Sequence, residues 1–190
     1  MKELFKAHIN KISPISDDKF DYVYSFFRSK TPKKRQLLIE EGEPANYEYW
    51  VAKGCLKAYH TSEDGKTSIV RFAMEDWWIS DYQAYLNQEI ATLSIECLEN
   101  CEVLMLSYQD REKLCREIPE MEHFFRKKIE GGYVSFQRRL ISMLSDDASK
   151  RFELFQRYYP SLLQRVPKTQ IASYLGISRE TLSRIVAKKS

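Results

Sequence analysis

Pro167-Lys-Thr-Gln-Ile-Ala-Ser-Tyr-Leu-Gly-Ile-Ser-Arg-Glu-Thr-Leu-Ser-Arg-Ile-Val-Ala-Lys-Lys-Ser190 is the stretch from which the rest of the chain is best read. Ile171 and Leu175 stand four apart on one helical face, and Ala172 is small enough for a second helix to cross close by. Pro167 suits a first helical position, where a missing N–H costs nothing. Gly176 can take the left-handed conformation that stops a helix, Ile177 can plug the turn, and Ser178 can cap the helix that follows. The spacing predicts a helix-turn-helix.

At 100° per residue, Leu182, Ile185 and Val186 fall within one arc of the second helix and face the body of the protein. Glu180, Ser183, Arg184 and Ala187 lie opposite. Arg179 and Glu180 occupy the first turn, where a recognition helix meets base edges. Arginine grips guanine O6 and N7 with two bonds, and glutamate can accept from cytosine N4, so Arg179, Glu180 and Arg184 are candidate base readers. An ordinary helical hairpin with a solvated charged face is the competing reading. Charge favours an anionic partner: residues 138–190 carry a net +7, and residues 1–137 a net −4.

Working toward the amino terminus, Phe125, Ile129, Tyr133, Phe136, Leu140 and Leu144 keep steps of four, four, three, four and four, which predicts one long helix from about Pro119 to Leu144. Gly131 and Gly132 either break it or let a partner helix approach; the unbroken phase of the stripe favours approach. A shorter helix over Asp147–Tyr159 presents Phe152, Phe155 and Tyr159 and ends at Pro160.

Between Arg35 and Ser107 the period is that of strands: Gln36–Glu40, Glu48–Ala52, Cys55–Thr61, Thr67–Ala73, Thr92–Leu98 and Glu102–Leu106. Gly, Pro, Asn and Asp punctuate the gaps, which suggests a sandwich or barrel. Phe20, Val23, Tyr24 and Phe27 place a short amphipathic helix before the strands.

A chain of 190 residues, 43% apolar and 30% charged, can bury a core unaided. No apolar run approaches the roughly 20 residues of a membrane span, and charges interrupt MKELFKAHIN as a leader, so no membrane partner and a cytoplasmic location are expected. Cys55, Cys97, Cys101 and Cys115 are too scattered for a disulfide scaffold, and no second Cys or His pair completes a zinc set. Without a phosphate loop, nucleophile elbow or metal constellation, an enzyme is not expected.

The run Gln170-Ile-Ala-x-x-Leu-Gly-Ile-Ser-Arg-Glu-Thr-Leu-Ser-Arg184 resembles the helix-turn-helix of the Crp/Fnr family of bacterial transcription regulators. The order of the preceding parts resembles that family as well. The resemblance implies an α+β fold: an effector domain over 1–117 with a β-roll like those that bind cyclic nucleotides, a dimerisation helix over 118–145, and a DNA-binding domain over 146–190. It implies base reading by Arg179, Glu180 and Arg184, phosphate contacts from Lys168, Thr169, Ser178 and Thr181, and a homodimer through Phe125, Ile129, Tyr133, Phe136 and Leu140. Double-stranded DNA, RNA polymerase and an unidentified small-molecule effector are the other implied partners.

The chain departs from the family's cassette. Where a Gly-Glu pair and an Arg-Ser or Arg-Thr pair are expected, it has Ser80-Asp81 and Ala91-Thr92, and the arginine that neutralises a cyclic phosphate is missing. Cyclic AMP is therefore not expected, nor is any other cofactor. Trp77, Trp78, Tyr82 and Tyr85 line either a differently shaped pocket or the core, and core is favoured. The first 54 residues lack cysteine, against an iron-sulfur cluster, and neither His60 nor His123 has a partner that would mark a haem ligand. Six residues follow Arg184, so no β-hairpin wing is expected. A sensor or protein-interaction module, with the carboxy-terminal helices serving assembly, is the alternative function.

Overall fold

A computed structural model describes residues 1–188; Lys189 and Ser190, the end of the expected DNA-binding range, lie outside the described residues. In chain order the elements are α1 (Lys2–Asn10), α2 (Asp17–Tyr24), β1 (Arg28–Lys30), β2 (Leu37–Ile39), β3 (Tyr47–Lys53), β4 (Leu56–Thr61), β5 (Thr67–Ala73), β6 (Trp78–Ile79), α3 (Tyr82–Asn87), β7 (Ser94–Cys97) and β8 (Glu102–Ser107). They continue as α4 (Tyr108–Glu117), α5 (Pro119–Ser145), α6 (Ala148–Tyr158), α7 (Leu162–Arg165), α8 (Lys168–Leu175) and α9 (Arg179–Ala187). The fold is α+β. Its strands form two antiparallel sheets, ordered β1-β8-β3-β6 and β2-β7-β4-β5.

Alternation decides which side of each strand is buried. Between the sheets lie Tyr49, Val51, Leu56, Ala58, Ile79, Ile95 and Val103. Residues of β3 and β8 that point the other way, Trp50, Leu104 and Leu106, meet Phe5 and Ile9 of α1, Phe20 and Val23 of α2, and Phe124 and Phe125 of α5. Phe27, expected on the amphipathic helix, follows its end at Tyr24 and is buried in that same cluster. A third core joins Cys55, Ile69 and Phe72 of the sheet to Phe152, Phe155, Ile171, Leu175, Leu182 and Ile185.

The long helix runs unbroken through Gly131 and Gly132, which excludes the reading in which they divide it. Its 27 residues span about 40 Å. A Cβ added at either glycine would meet nothing within 4 Å, so within this chain no helix uses the close approach they allow.

Gly54 ends β3 with φ +111°, and a Cβ there would stand 2.5 Å from Cys101 Sγ and 2.9 Å from Cys101 Cα. Both backbone and packing demand glycine. Gly54→Ala is expected to cost about 3 kcal/mol or more of unfolding free energy, against about 1 kcal/mol for Gly65→Ala, whose surroundings are open. Denaturant titration of the two variants checks the order.

Candidate nucleic-acid interface

The turn between α8 and α9 closes by backbone geometry. Gly176 sits at φ +67°, its N–H donates to the Ser173 carbonyl, and the Ile177 N–H reaches back to the Ala172 carbonyl. That pair of bonds satisfies carbonyls a helix end leaves free. Ser178 then caps α9 by accepting from the Thr181 N–H at 3.1 Å. Pro167 lies one residue outside α8, as its cap, because the helix begins at Lys168.

Along α9, Leu182 and Ile185 are buried while Arg179, Glu180, Ser183 and Arg184 are exposed. Arg184 Nη2 donates to Thr181 Oγ1 at 3.3 Å, and the Ser178 hydroxyl donates to the same oxygen at 3.1 Å. The cap and the arginine therefore share one hydroxyl. Lys168 and Thr169 are exposed at the start of α8.

What holds this unit to the rest of the chain has no motif in the sequence. Arg139, on α5, donates to the carbonyls of Val70 (2.8 Å), Ile69 (3.1 Å) and Tyr174 (2.8 Å), with its guanidinium 4.1 Å from the centre of the Tyr174 ring. Ser173 adds bonds to β5 through the Ile69 N–H and the Thr67 carbonyl. Arg165 makes two bonds to Glu75, at 2.7 and 3.0 Å, and a third to Glu99. Burial would raise the Glu75 carboxyl, but bonds from Arg165 and the Gly54 N–H together hold it down at about 2.

The apolar stripe of α5 divides. Phe125, 3% exposed, belongs to the protomer's own core, and its ring lies 4.9 Å from the Arg111 guanidinium. Ile129, Tyr133, Phe136 and Leu140 are all exposed, Tyr133 at 67%.

In the cassette region, Asp81 caps α3 by accepting from the Ala84 N–H, while its other oxygen accepts from the Thr92 N–H (2.7 Å), the Thr92 hydroxyl (3.1 Å) and the Leu93 N–H (3.0 Å). Three donors thus converge on one oxygen of a carboxylate that is 1% exposed. Ser80 donates to the Tyr47 carbonyl, and Ala91 is buried. Trp78 and Tyr85 are core residues: the Trp78 indole donates to His8 Nε2, and the Tyr85 hydroxyl faces Glu48. Glu48 is enclosed by Tyr82, Tyr85 and Arg111; burial, only partly offset by Arg111, raises its carboxyl to about 7. His60 lies 2.9 Å from Glu41 and His123 3.0 Å from Arg126, and no group of three metal-ligating side chains occurs among the described residues.

Residues 30–117 match the cyclic nucleotide-binding domain family. An anaerobic regulatory protein of Pasteurella multocida is 22% identical over 186 residues, covering 92% of this chain and 67% of its own length. The chain is similar to regulators of the Crp/Fnr family over most of its length. Among solved structures, FixK2 of Bradyrhizobium japonicum superposes with a TM-score of 0.71 at 18% identity, over 85% of this chain and 83% of its own. The c-di-GMP responsive global regulator CLP of Xanthomonas campestris gives 0.72 at 15% identity, over 91% of each.

Measured against that family's cassette, the residues here do not fit a cyclic phosphate. The donors at Thr92 and Leu93 are already engaged by Asp81, whose charge opposes a second anion.

Glu48 has a pH signature. Its proton is held more tightly in the folded chain, at about 7, than at the ordinary 4.5, so its contribution to stability falls as pH rises from about 4.5 to about 7 and is flat above. Glu48→Gln removes that slope. Unfolding midpoints across pH 4.5–7.5 are expected to show wild type losing ground to the variant over this window; parallel profiles contradict the assignment.

Proposed function

We propose that this Crp/Fnr-like protein is a sequence-specific DNA-binding transcription regulator that acts as a homodimer and does not respond to cyclic AMP. The observation that carries the reading is the two-sided α9: Leu182 and Ile185 commit one face to the core, and Arg179, Glu180 and Arg184 are exposed on the other. Arginine and glutamate at base edges supply sequence discrimination, while Lys168, Thr169, Ser178 and Thr181 lie near the ends of α8 and α9, where phosphate contacts set register. The bond from Arg184 to Thr181 preorganises the guanidinium before DNA arrives.

The division proposed is an effector domain over 1–117, a dimerisation helix over 118–145 and a DNA-binding domain over 146–190. Burying each large side chain of the α5 stripe is worth about 1.5 to 3 kcal/mol, which favours a second copy packed against Ile129, Tyr133, Phe136 and Leu140. Gly131 and Gly132 leave room for it. The role is regulatory rather than enzymatic. No helix among the described residues is long and apolar enough to cross a membrane, in keeping with action on DNA in the cytoplasm, where RNA polymerase is the downstream partner. Asp81 already engages the N–H groups of Thr92 and Leu93, which supports indifference to cyclic AMP.

Arg179→Ala and Arg184→Ala are each expected to weaken binding to a selected site by about 1 to 3 kcal/mol and to spare binding to unrelated duplex. Lys168→Ala should weaken all sequences alike and lower the salt slope by about one unit. Titrations on matched and mismatched duplexes at several salt concentrations separate these outcomes, and a binding interaction without salt dependence would favour a protein-interaction module instead. Equal loss on every sequence in both arginine variants overturns the base-reading assignment.

Dimerisation is tested separately: Phe136→Asp should sediment as a monomer at concentrations where wild type is a dimer. Calorimetry with cyclic AMP should show no binding at micromolar affinity; such affinity would mean another cation, such as Arg71, neutralises the phosphate.

A further inference from the structure

A cleft lies between α5, α6 and α8, away from the cassette and from the exposed face of α9. Arg138, Arg139 and Arg151 line it together with Met143, Tyr158 and Tyr174. The cleft measures about 50 Å³, and the space reaches about 450 Å³ when the open mouth is counted. We propose that this cleft binds a small planar carboxylate, an aromatic acid, whose occupancy sets how α8 and α9 rest on the long helix.

Three cationic side chains meet here without a carboxylate. Among the described residues, none of the three arginines has an acidic side chain within 4 Å. Arg139 spends both terminal nitrogens on backbone carbonyls, and Arg151 reaches only the Met143 carbonyl, at 3.4 Å. The Nε atoms of Arg139 and Arg151 are buried with no acceptor. A buried N–H without a partner is a destabilising exception in a folded protein, and two of them at one cleft point to an acceptor arriving from outside. A carboxylate suits the need, since a guanidinium can offer it two parallel bonds.

The walls narrow the class further. The Arg138 guanidinium lies 4.7 Å from the Tyr158 ring centre, and Tyr174 packs against Arg139 and Phe155. Ring faces and the Met143 side chain favour a flat apolar body behind the charge. Inorganic phosphate would satisfy the cations and leave those walls bare.

Met143 connects the cleft to the helix-turn-helix. A Cβ on Gly176 would fall 2.8 Å from Met143 Cε, so this side chain lies directly under the turn between α8 and α9. The Met143 carbonyl is also the acceptor of Arg151. A ligand that draws Arg151 toward itself loosens the support beneath the turn. The site thus goes beyond the cassette as a place for an effector, and only its coupling to DNA rests on the function proposed above.

Benzoate is the probe, titrated into the full-length chain by calorimetry, with sodium phosphate and benzamide as the charge-only and ring-only arms. Saturable binding is expected for benzoate, with phosphate and benzamide weaker by about tenfold or more. Arg151→Gln and Arg138→Gln should each weaken benzoate by a similar factor while leaving circular dichroism unchanged; Arg138 is exposed, so its variant serves if Arg151→Gln fails to fold. No saturable binding, or unchanged binding in the folded variants, overturns the site. Phosphate binding as tightly as benzoate overturns the aromatic class. DNA affinity that benzoate leaves unchanged, in a chain that does bind DNA, overturns the coupling alone.

Discussion

The arrangement of the molecule depends on the Arg139 guanidinium. It projects from the long helix and donates to two carbonyls of β5 and one of α8, so a single side chain ties together sheet, long helix and helix-turn-helix. Backbone dipoles and the Tyr174 ring compensate its charge. Removing a half-buried charge that is bonded to three backbone carbonyls costs more than the half-exposed pair of Arg165 and Glu75 can contribute. The core beside it, from Phe72 to Leu182, joins the sheet to α6, α7, α8 and α9. With one face of α9 buried in that core, the direction of its arginines follows.

The β-roll shows a related economy. In the cassette of this family an anion from outside is awaited, yet here Asp81 fills the converging N–H groups of Thr92 and Leu93. The carboxylate joins the start of α3 to the residues just before β7. On the function proposed above, control of the regulator would lie elsewhere in the chain or in its abundance. The cationic cleft beside Met143 offers the first of these alternatives within the same chain.

Much of this was legible in the sequence because the deciding signals are local. Period-two alternation located six strands to within a few residues, and the phase of Ile129, Tyr133, Phe136 and Leu140 carried the long helix through two glycines. Gly176, Ile177 and Ser178 announced their turn by residue type alone. The strands β1 and β6 were missed because three and two residues are too few to show alternation. Phe125 keeps the phase of the dimer stripe but packs inward, since periodicity gives a face and not what covers it. Arg139 was unreadable for a further reason: its partners are backbone carbonyls remote in sequence, and carbonyls have no letter. The Asp81 contacts were hidden likewise, although Ser80-Asp81 and Ala91-Thr92 did mark the two ends of the cradle.

The direct test of the Arg139 account is amide hydrogen exchange in the Arg139→Gln chain. Ile69 is the reporter, because its N–H donates to the Ser173 hydroxyl and is shielded only while α8 rests on β5. If the guanidinium is the tie, Ile69 and the amides of α8 should lose protection together, while Trp50 and Leu104, deep in the β-roll, keep theirs. Unchanged protection at Ile69 and α8 in the variant would show that the helix-turn-helix is held by its apolar core alone and would contradict the account.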